Sequence, residues 1–169
     1  MSYTHFEIRD ALETLTVLID TREQDTERAR KRKEDFPRWR REKLDAGDYG
    51  CEIELDGEPC RVPVVVERKM NLDELCQCFT RERKRFEREF ERAQQEGTRL
   101  HLLIENASWE KIQAGRYRSQ MKPQALTASI LAWQARYDAR IYFCTPELTG
   151  KMITAILHYE TKIYLEGQE

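Results

Sequence analysis

The run Val64-Val65-Val66-Glu67-Arg68-Lys69 constrains this chain more than any other stretch. Three consecutive β-branched residues predict a strand covered on both faces. The strand then runs straight into three charges. Side chains alternate along a strand, so Glu67 and Lys69 project to one face and Arg68 to the other. Charges at the end of a buried strand need partners, water or a ligand. A strand of this kind also needs a sheet with helices packed on it.

The rest of the chain supplies them. Thr16 to Asp20 (TVLID) reads as a short strand ending on an acid, and residues 22–36 as a charged helix or turn. Ala46-Gly47-Asp48 has turn chemistry. Residues 51–69 read as two strands joined at Asp56-Gly57, the favoured tight-turn dipeptide. From Asn71 the period becomes helical, with Asn71 as the N-cap and Glu74 three positions on. A second helix covers 82–96 and stops at Gly97. A strand over 99–105, a short helix capped by Ser108, a helix with Pro123 in its first turn, a strand over 140–144 and a helix over 146–165 complete the chain. The predicted class is α/β, a mixed central sheet flanked by helices. One domain over 1–169 is expected, with residues 1–15 polar, weakly patterned and loosely ordered.

Composition narrows the function classes. With 36% charged residues, a net charge of −2 and a pI near 6.0, the chain has no bulk basic field. That counts against a passive DNA-coating protein, but little against an enzyme whose acidic centre binds a cation. No apolar run approaches the ~18 residues of a membrane span. The N-terminus lacks the basic-then-apolar plan of a signal peptide. An intracellular protein is expected. Five irregularly spaced cysteines, Cys76 and Cys78 among them, offer no zinc-site spacing and read as reduced thiols.

Three acids and a lysine fall at predicted strand ends or turns: Asp20, Asp48, Glu67 and Lys69. Oxygen ligands of this kind suit a hard divalent cation. The chemistry such a site serves is phosphodiester hydrolysis, in which the ion lowers the pKa of a bound water and shields the phosphate. Taken alone, the triplet reads first as a surface Glu–Lys pair worth under ~1 kcal/mol.

The blocks are more specific together. Gly47-Asp48 is followed, after a gap, by Glu67-Arg68-Lys69, three residues, and Asp73. Upstream stands VLIDTRE, with Asp20, Arg22 and Glu23. Downstream, Arg85 to Arg92 reads Arg-Phe-Glu-Arg-Glu-Phe-Glu-Arg. In this order the blocks resemble the XPF-type structure-specific nucleases, a branch of the PD-(D/E)XK restriction-endonuclease-like superfamily. The remainder of the chain resembles the stand-alone forms of bacteria and their phages. The chain departs from the pattern at Glu89, where the family more often has glutamine. After Cys144 the residues are expected to form one long helix rather than a tandem helix-hairpin-helix module.

The resemblance implies a restriction-endonuclease-like sheet and Mg2+- or Mn2+-dependent nicking of branched, flap or junction DNA in repair or recombination. It also implies a homodimer and the cytoplasm of a bacterial or phage-infected cell. A nuclease-like module that binds DNA or a partner without cutting is the alternative. By resemblance, Asp48 and Glu67 are metal ligands and Asp20 completes or borders the site. Lys69 positions or activates the attacking water. Arg22 clamps the scissile phosphate or pairs with a nearby acid. Arg68 tethers a neighbouring element or offers its carbonyl to the metal, and Glu89 stands behind the ligands. Asp73 falls in a first helical turn, where the dipole favours an acid without any catalytic role.

Arg81, Arg85, Arg88 and Arg92 are spaced to share one helical face. Like charges so placed repel, which suggests an anionic partner, although Arg85–Glu89 and Arg83–Glu87 pairs also fit. Arg116 and Arg118 in GRYRSQ are candidates for backbone phosphates. Phe79, Phe86, Phe90 and Ala93 form the apolar stripe expected to dock that helix. Trp133 and Tyr137 are read as core. The three histidines are isolated.

Overall fold

A computed structural model describes residues 3–168. Its six strands form one mixed sheet in the order β2-β1-β3-β4-β5-β6: β1 Thr16–Asp20, β2 Trp39–Glu42, β3 Tyr49–Leu55, β4 Glu58–Lys69, β5 Arg99–Glu105 and β6 Arg140–Cys144. Seven α-helices flank it among the described residues: α1 His5–Glu13, α2 Glu27–Lys33, α3 Leu72–Phe79, α4 Arg83–Gln95, α5 Trp109–Gln113, α6 Pro123–Tyr137 and α7 Thr149–Glu166. The α/β class read from the sequence is the observed one. No described helix is long and apolar enough to cross a membrane. The residues fall into two compact units, one of residues 1–66 with 150–169 and one of residues 67–149.

In the first unit β1 lies parallel to β2 and antiparallel to β3, and β3 lies antiparallel to β4. The β3–β4 hairpin turns at Asp56-Gly57, with φ of 53° and 80°. Two successive positive φ angles define the primed turn whose twist matches paired strands. β4 corrects one expectation. Val62, Val64 and Val66 are fully buried while Val65 between them is half-buried, so the strand alternates rather than being sealed on both faces. Two elements escaped the pattern. β2 (WRRE) is a largely exposed edge strand. α1 occupies residues expected to be loosely ordered, and it opens with a complete Thr4–Glu7 capping box.

The second unit is built on aromatic packing. Phe79, Phe86, Phe90 and Trp133 are all buried, with the Phe86 ring stacked on Trp133 at 5.3 Å and Tyr137 against both Phe90 and Trp133. β5 pairs parallel with β6. Asn71 caps α3 by accepting from Glu74 N at 2.9 Å, while the Glu74 carboxylate reaches back to Met70 N at 2.6 Å. α4 ends in a Schellman turn at Gly97, where Thr98 N donates to Ala93 O at 2.8 Å. It starts only at Arg83, so Arg81 lies in the preceding turn and not on the helical face the spacing predicts.

Candidate active site

Asp20, Arg22 and Asp48 belong to the first unit; Glu67, Lys69 and Glu89 belong to the second.

In the first unit the turn before β3 fixes Asp48. Gly47 has φ +72°, and a Cβ there would lie 2.8 Å from Val65 Cβ. Only glycine meets both conditions. Its absent side chain lets the turn lie on β4, so that Asp48 N donates to Val66 O at 2.9 Å. On the other side, Asp20 N donates to Asp48 O at 2.8 Å. Asp48 is thereby held between the end of β1 and β4.

Asp20, which ends β1, is 1% exposed. Its oxygens accept four hydrogen bonds, from Arg22 N (2.8 Å), Nε (2.6 Å) and Nη2 (3.3 Å) and from Leu44 N (2.7 Å). Burial alone pushes its pKa up, but the bonds from Arg22 and Leu44 outweigh it and hold the carboxyl below the usual aspartate range. Arg22 therefore has a structural occupation on Asp20 and also donates to Leu44 O at 3.2 Å.

Behind these residues lies a network that the sequence reading did not assemble. Arg32 on α2, 5% exposed, donates to Glu23 Oε1 at 2.9 Å and to Tyr49 Oη at 3.1 Å. Tyr49 Oη in turn donates to Glu23 Oε1 at 3.2 Å. Glu23 and Tyr49 adjoin Arg22 and Asp48 in the chain, and Arg32 ties α2 to both of them.

In the second unit Glu67 and Lys69 form an enclosed ion pair, Nζ to Oε1 2.7 Å. Burial pulls the lysine pKa down, but Glu67, then Cys78 and Glu74, more than reverse this and leave it above the ordinary lysine range. The Lys69 ammonium also lies 5.9 Å from the centroid of the Phe86 ring. Glu89 is pushed up by burial and by Glu67, against the pull of Arg85, Lys69 and Arg92. Arg68 points elsewhere and meets the fully buried Glu105 of β5 at 3.4 Å. Glu105 also accepts from Thr149 Oγ1 at 2.8 Å.

The remaining predicted residues divide. Asp73 Oδ1 accepts from Arg118 N at 2.7 Å and Ser119 N at 2.8 Å. This role needs contact across 45 positions, and nothing local signals it. On α4, Arg85 pairs with Glu82 and Glu89, while Arg88 and Arg92 are exposed. Arg116 and Arg118 are exposed on the loop after α5. All five cysteines are free thiols. Among the described residues, no group of three or more His, Cys, Asp or Glu is arranged to hold a metal ion.

The family described as the ERCC4 domain matches residues 19–156, and the chain belongs to that family. Its fold is similar to that of XPF from Aeropyrum pernix, with 21% identity and a TM-score of 0.63, covering 86% of this chain and 65% of that one. The same archaeal protein in complex with DNA matches with 21% identity and a TM-score of 0.63, covering 88% of this chain and 66% of that one. The chain thus spans about two thirds of the length of these solved relatives. No curated protein matches it.

Proposed function

We propose that this chain is a divalent-metal-dependent endonuclease that hydrolyses phosphodiester bonds in DNA carrying a branch, flap or junction, acting in repair or recombination as a homodimer. The observation that carries this reading is the clamp on Asp48. The acid of the Gly-Asp block is fixed by backbone hydrogen bonds to Asp20 and to Val66, the residue that precedes Glu67 in the chain. Family membership and the order of the blocks add support, and the DNA-bound archaeal XPF agrees with a nucleic-acid substrate.

Asp48 and Glu67 are the proposed ligands. Their hard oxygen donors fit Mg2+ or Mn2+, and Mg2+ in particular takes only one or two carboxylates and keeps several waters. Asp20, its oxygens already filled, borders the site and orients the turn. Such an ion supplies a water of lowered pKa and shields the charge on the phosphate oxygens. Lys69, paired with Glu67, orients the attacking water and stabilises charge on the phosphate. The exposure of Arg22, 70%, supports a contact with a phosphate arriving from solution.

Incubation with labelled flap, fork and linear DNA in Mg2+, Mn2+ or chelator tests the proposal. Metal-dependent cutting that Asp48→Ala abolishes is the expected result. Metal-independent binding with no cutting by the wild type overturns it in favour of a DNA-binding module that does not cut.

A further inference from the structure

The second unit holds a cavity of about 780 Å³ between the start of α3, the turn at 80–82 and the loop that follows α5, lined in part by Met70, Asp73, Glu74, Arg81, Arg118 and Ser119. Two carboxylates and two guanidiniums face it, yet they are not paired with one another. Asp73 spends Oδ1 on the Arg118 and Ser119 amides, and Glu74 spends Oε2 on Met70 N. The side chains of Arg81 and Arg118 make no ion pair or hydrogen bond among the described residues. Acid–base pairing is the default for arginines beside carboxylates, so two cations left available over two committed acids ask for an external anion.

The loop is built before any ligand arrives. Arg116 N donates to Lys111 O at 2.9 Å, Tyr117 Oη to Met121 O at 2.7 Å, and Met121 N to Ser119 Oγ at 3.2 Å. With Asp73 holding its tip, Arg118 is presented from a fixed backbone, which lowers the ordering cost of binding. Guanidinium groups suit phosphate oxygens through parallel donors. Met70, 48% exposed on the rim, adds an apolar surface of the kind that a base face covers. The volume lies within the ~300–1,000 Å³ typical of clefts that enclose a ligand, well beyond a single phosphate. The lining begins at Met70, which follows Lys69 in the chain.

From these observations we infer that the cavity holds the backbone of an unpaired DNA strand. Arg81 and Arg118 lie on its phosphates, and Asp73 is the residue that positions Arg118. The inference takes its substrate from the endonuclease reading above. It gives the last acid of the Glu-Arg-Lys-x-x-x-Asp block a role in holding substrate, apart from the metal.

The test is equilibrium binding of a fluorescein-labelled single-stranded oligonucleotide in chelator over a salt series, using the full chain, with cleavage of a flap substrate measured alongside. Arg81→Ala/Arg118→Ala is expected to weaken binding about tenfold and to flatten the salt slope by about 1.4, since a single strand contributes ~0.7 per neutralised phosphate. The charge-matched Arg9→Ala/Arg136→Ala variant is expected to keep the wild-type slope. Asp73→Ala separates positioning from charge. Removing an acid beside an anion site strengthens binding if only charge matters, whereas loss of the loop tie weakens it, and weakening is expected. Wild-type affinity and slope in Arg81→Ala/Arg118→Ala, an equal loss in the control pair, or tighter binding by Asp73→Ala overturns the inference while leaving the endonuclease reading intact. A wild-type chain that neither binds nor cuts DNA overturns both.

Discussion

Lys69 Nζ lies 2.7 Å from Glu67 Oε1 with both side chains enclosed, the lysine 8% and the glutamate 15% exposed. The pair makes the lysine a permanent cation, because its raised pKa carries protonation beyond the ordinary lysine range. Lys69→Met is expected to lower kcat by about 10²–10³-fold, the range for removing one preorganised electrostatic group. The wild-type pH–rate profile is expected to show no limb from Lys69 below about pH 10, and the stability this pair contributes is lost only as pH rises through the raised value. Single-turnover cleavage between pH 6 and 9 checks the assignment (a rising limb that Lys69→Met removes identifies a general base instead).

Gly47 is required by conformation and by space together. Gly47→Ala puts a Cβ 2.8 Å from that of Val65 at φ +72°. A cost of about 1–3 kcal/mol is expected, and for a chain of this length ~1 kcal/mol moves Tm by roughly 2–4 °C. Because the turn carries Asp48, cleavage is expected to fall further than stability explains. Thermal denaturation and cleavage well below Tm separate the two effects. A variant with wild-type Tm removes the close-approach argument.

Arg32 ties Glu23 and Tyr49 together at 5% exposure. Removing one partner of a buried pair strands the other charge, at about 3–5 kcal/mol, whereas loss of one neutral hydrogen bond costs ~1 kcal/mol. Arg32→Met is therefore expected to destabilise several-fold more than Tyr49→Phe in urea unfolding. Equal losses mean that Tyr49, rather than the ion pair, holds the network.

Asp20 gives the chain an acid-sensitive step. Its carboxyl is depressed in the folded state, so its contribution is present above the unfolded value near pH 3.9 and is lost as pH falls through the lower folded value. Asp20→Asn leaves Leu44 N and Arg22 imperfectly matched and is expected to cost about 1–3 kcal/mol at neutral pH. Urea midpoints for the two proteins are expected to converge below about pH 4. Parallel curves down to pH 2.5 rule this carboxylate out as the cause.

These cases also show which parts of the molecule are legible in sequence. The Asp56-Gly57 hairpin, the Asn71 and Ser108 caps and the Gly97 stop are local, and each is written in a few adjacent residues. β2 is not, because Trp39-Arg40-Arg41-Glu42 has no apolar alternation and becomes a strand through its parallel register with β1. α1 buries only Ile8 and Ala11, too few to show a period, but its Thr4-x-x-Glu7 box was a readable signal. In the candidate site the acids and the lysine stood out by type and spacing. Their bonding state did not, because the four donors on Asp20 include one from Leu44, 24 residues away. Asp73 was readable as a first-turn acid, but its two acceptances from the loop after α5 depend on tertiary approach alone.

Glu89 is an acid held close to a second acid, Glu67. Burial and the nearby Glu67 raise its pKa, so the folded chain holds this proton at a pH where the unfolded chain has released it. Stability therefore falls as pH rises from the unfolded value near 4.3 through the folded one, and a fixed penalty persists above both. Glutamine at this position keeps the shape and removes the charge. Glu89→Gln is expected to raise Tm at pH 7 by up to about 2–4 °C, the equivalent of ~1 kcal/mol for a chain of this size. The gain is expected to shrink towards zero near pH 4, where both forms are neutral. Opposing this is the contact of Arg85 with Glu89 at 3.5 Å, but Arg85 is 64% exposed and such pairs contribute little. Melting curves in chelator at several pH values decide between them. A lower Tm for the variant at pH 7 shows that the Arg85 pair outweighs burial and the Glu67 repulsion.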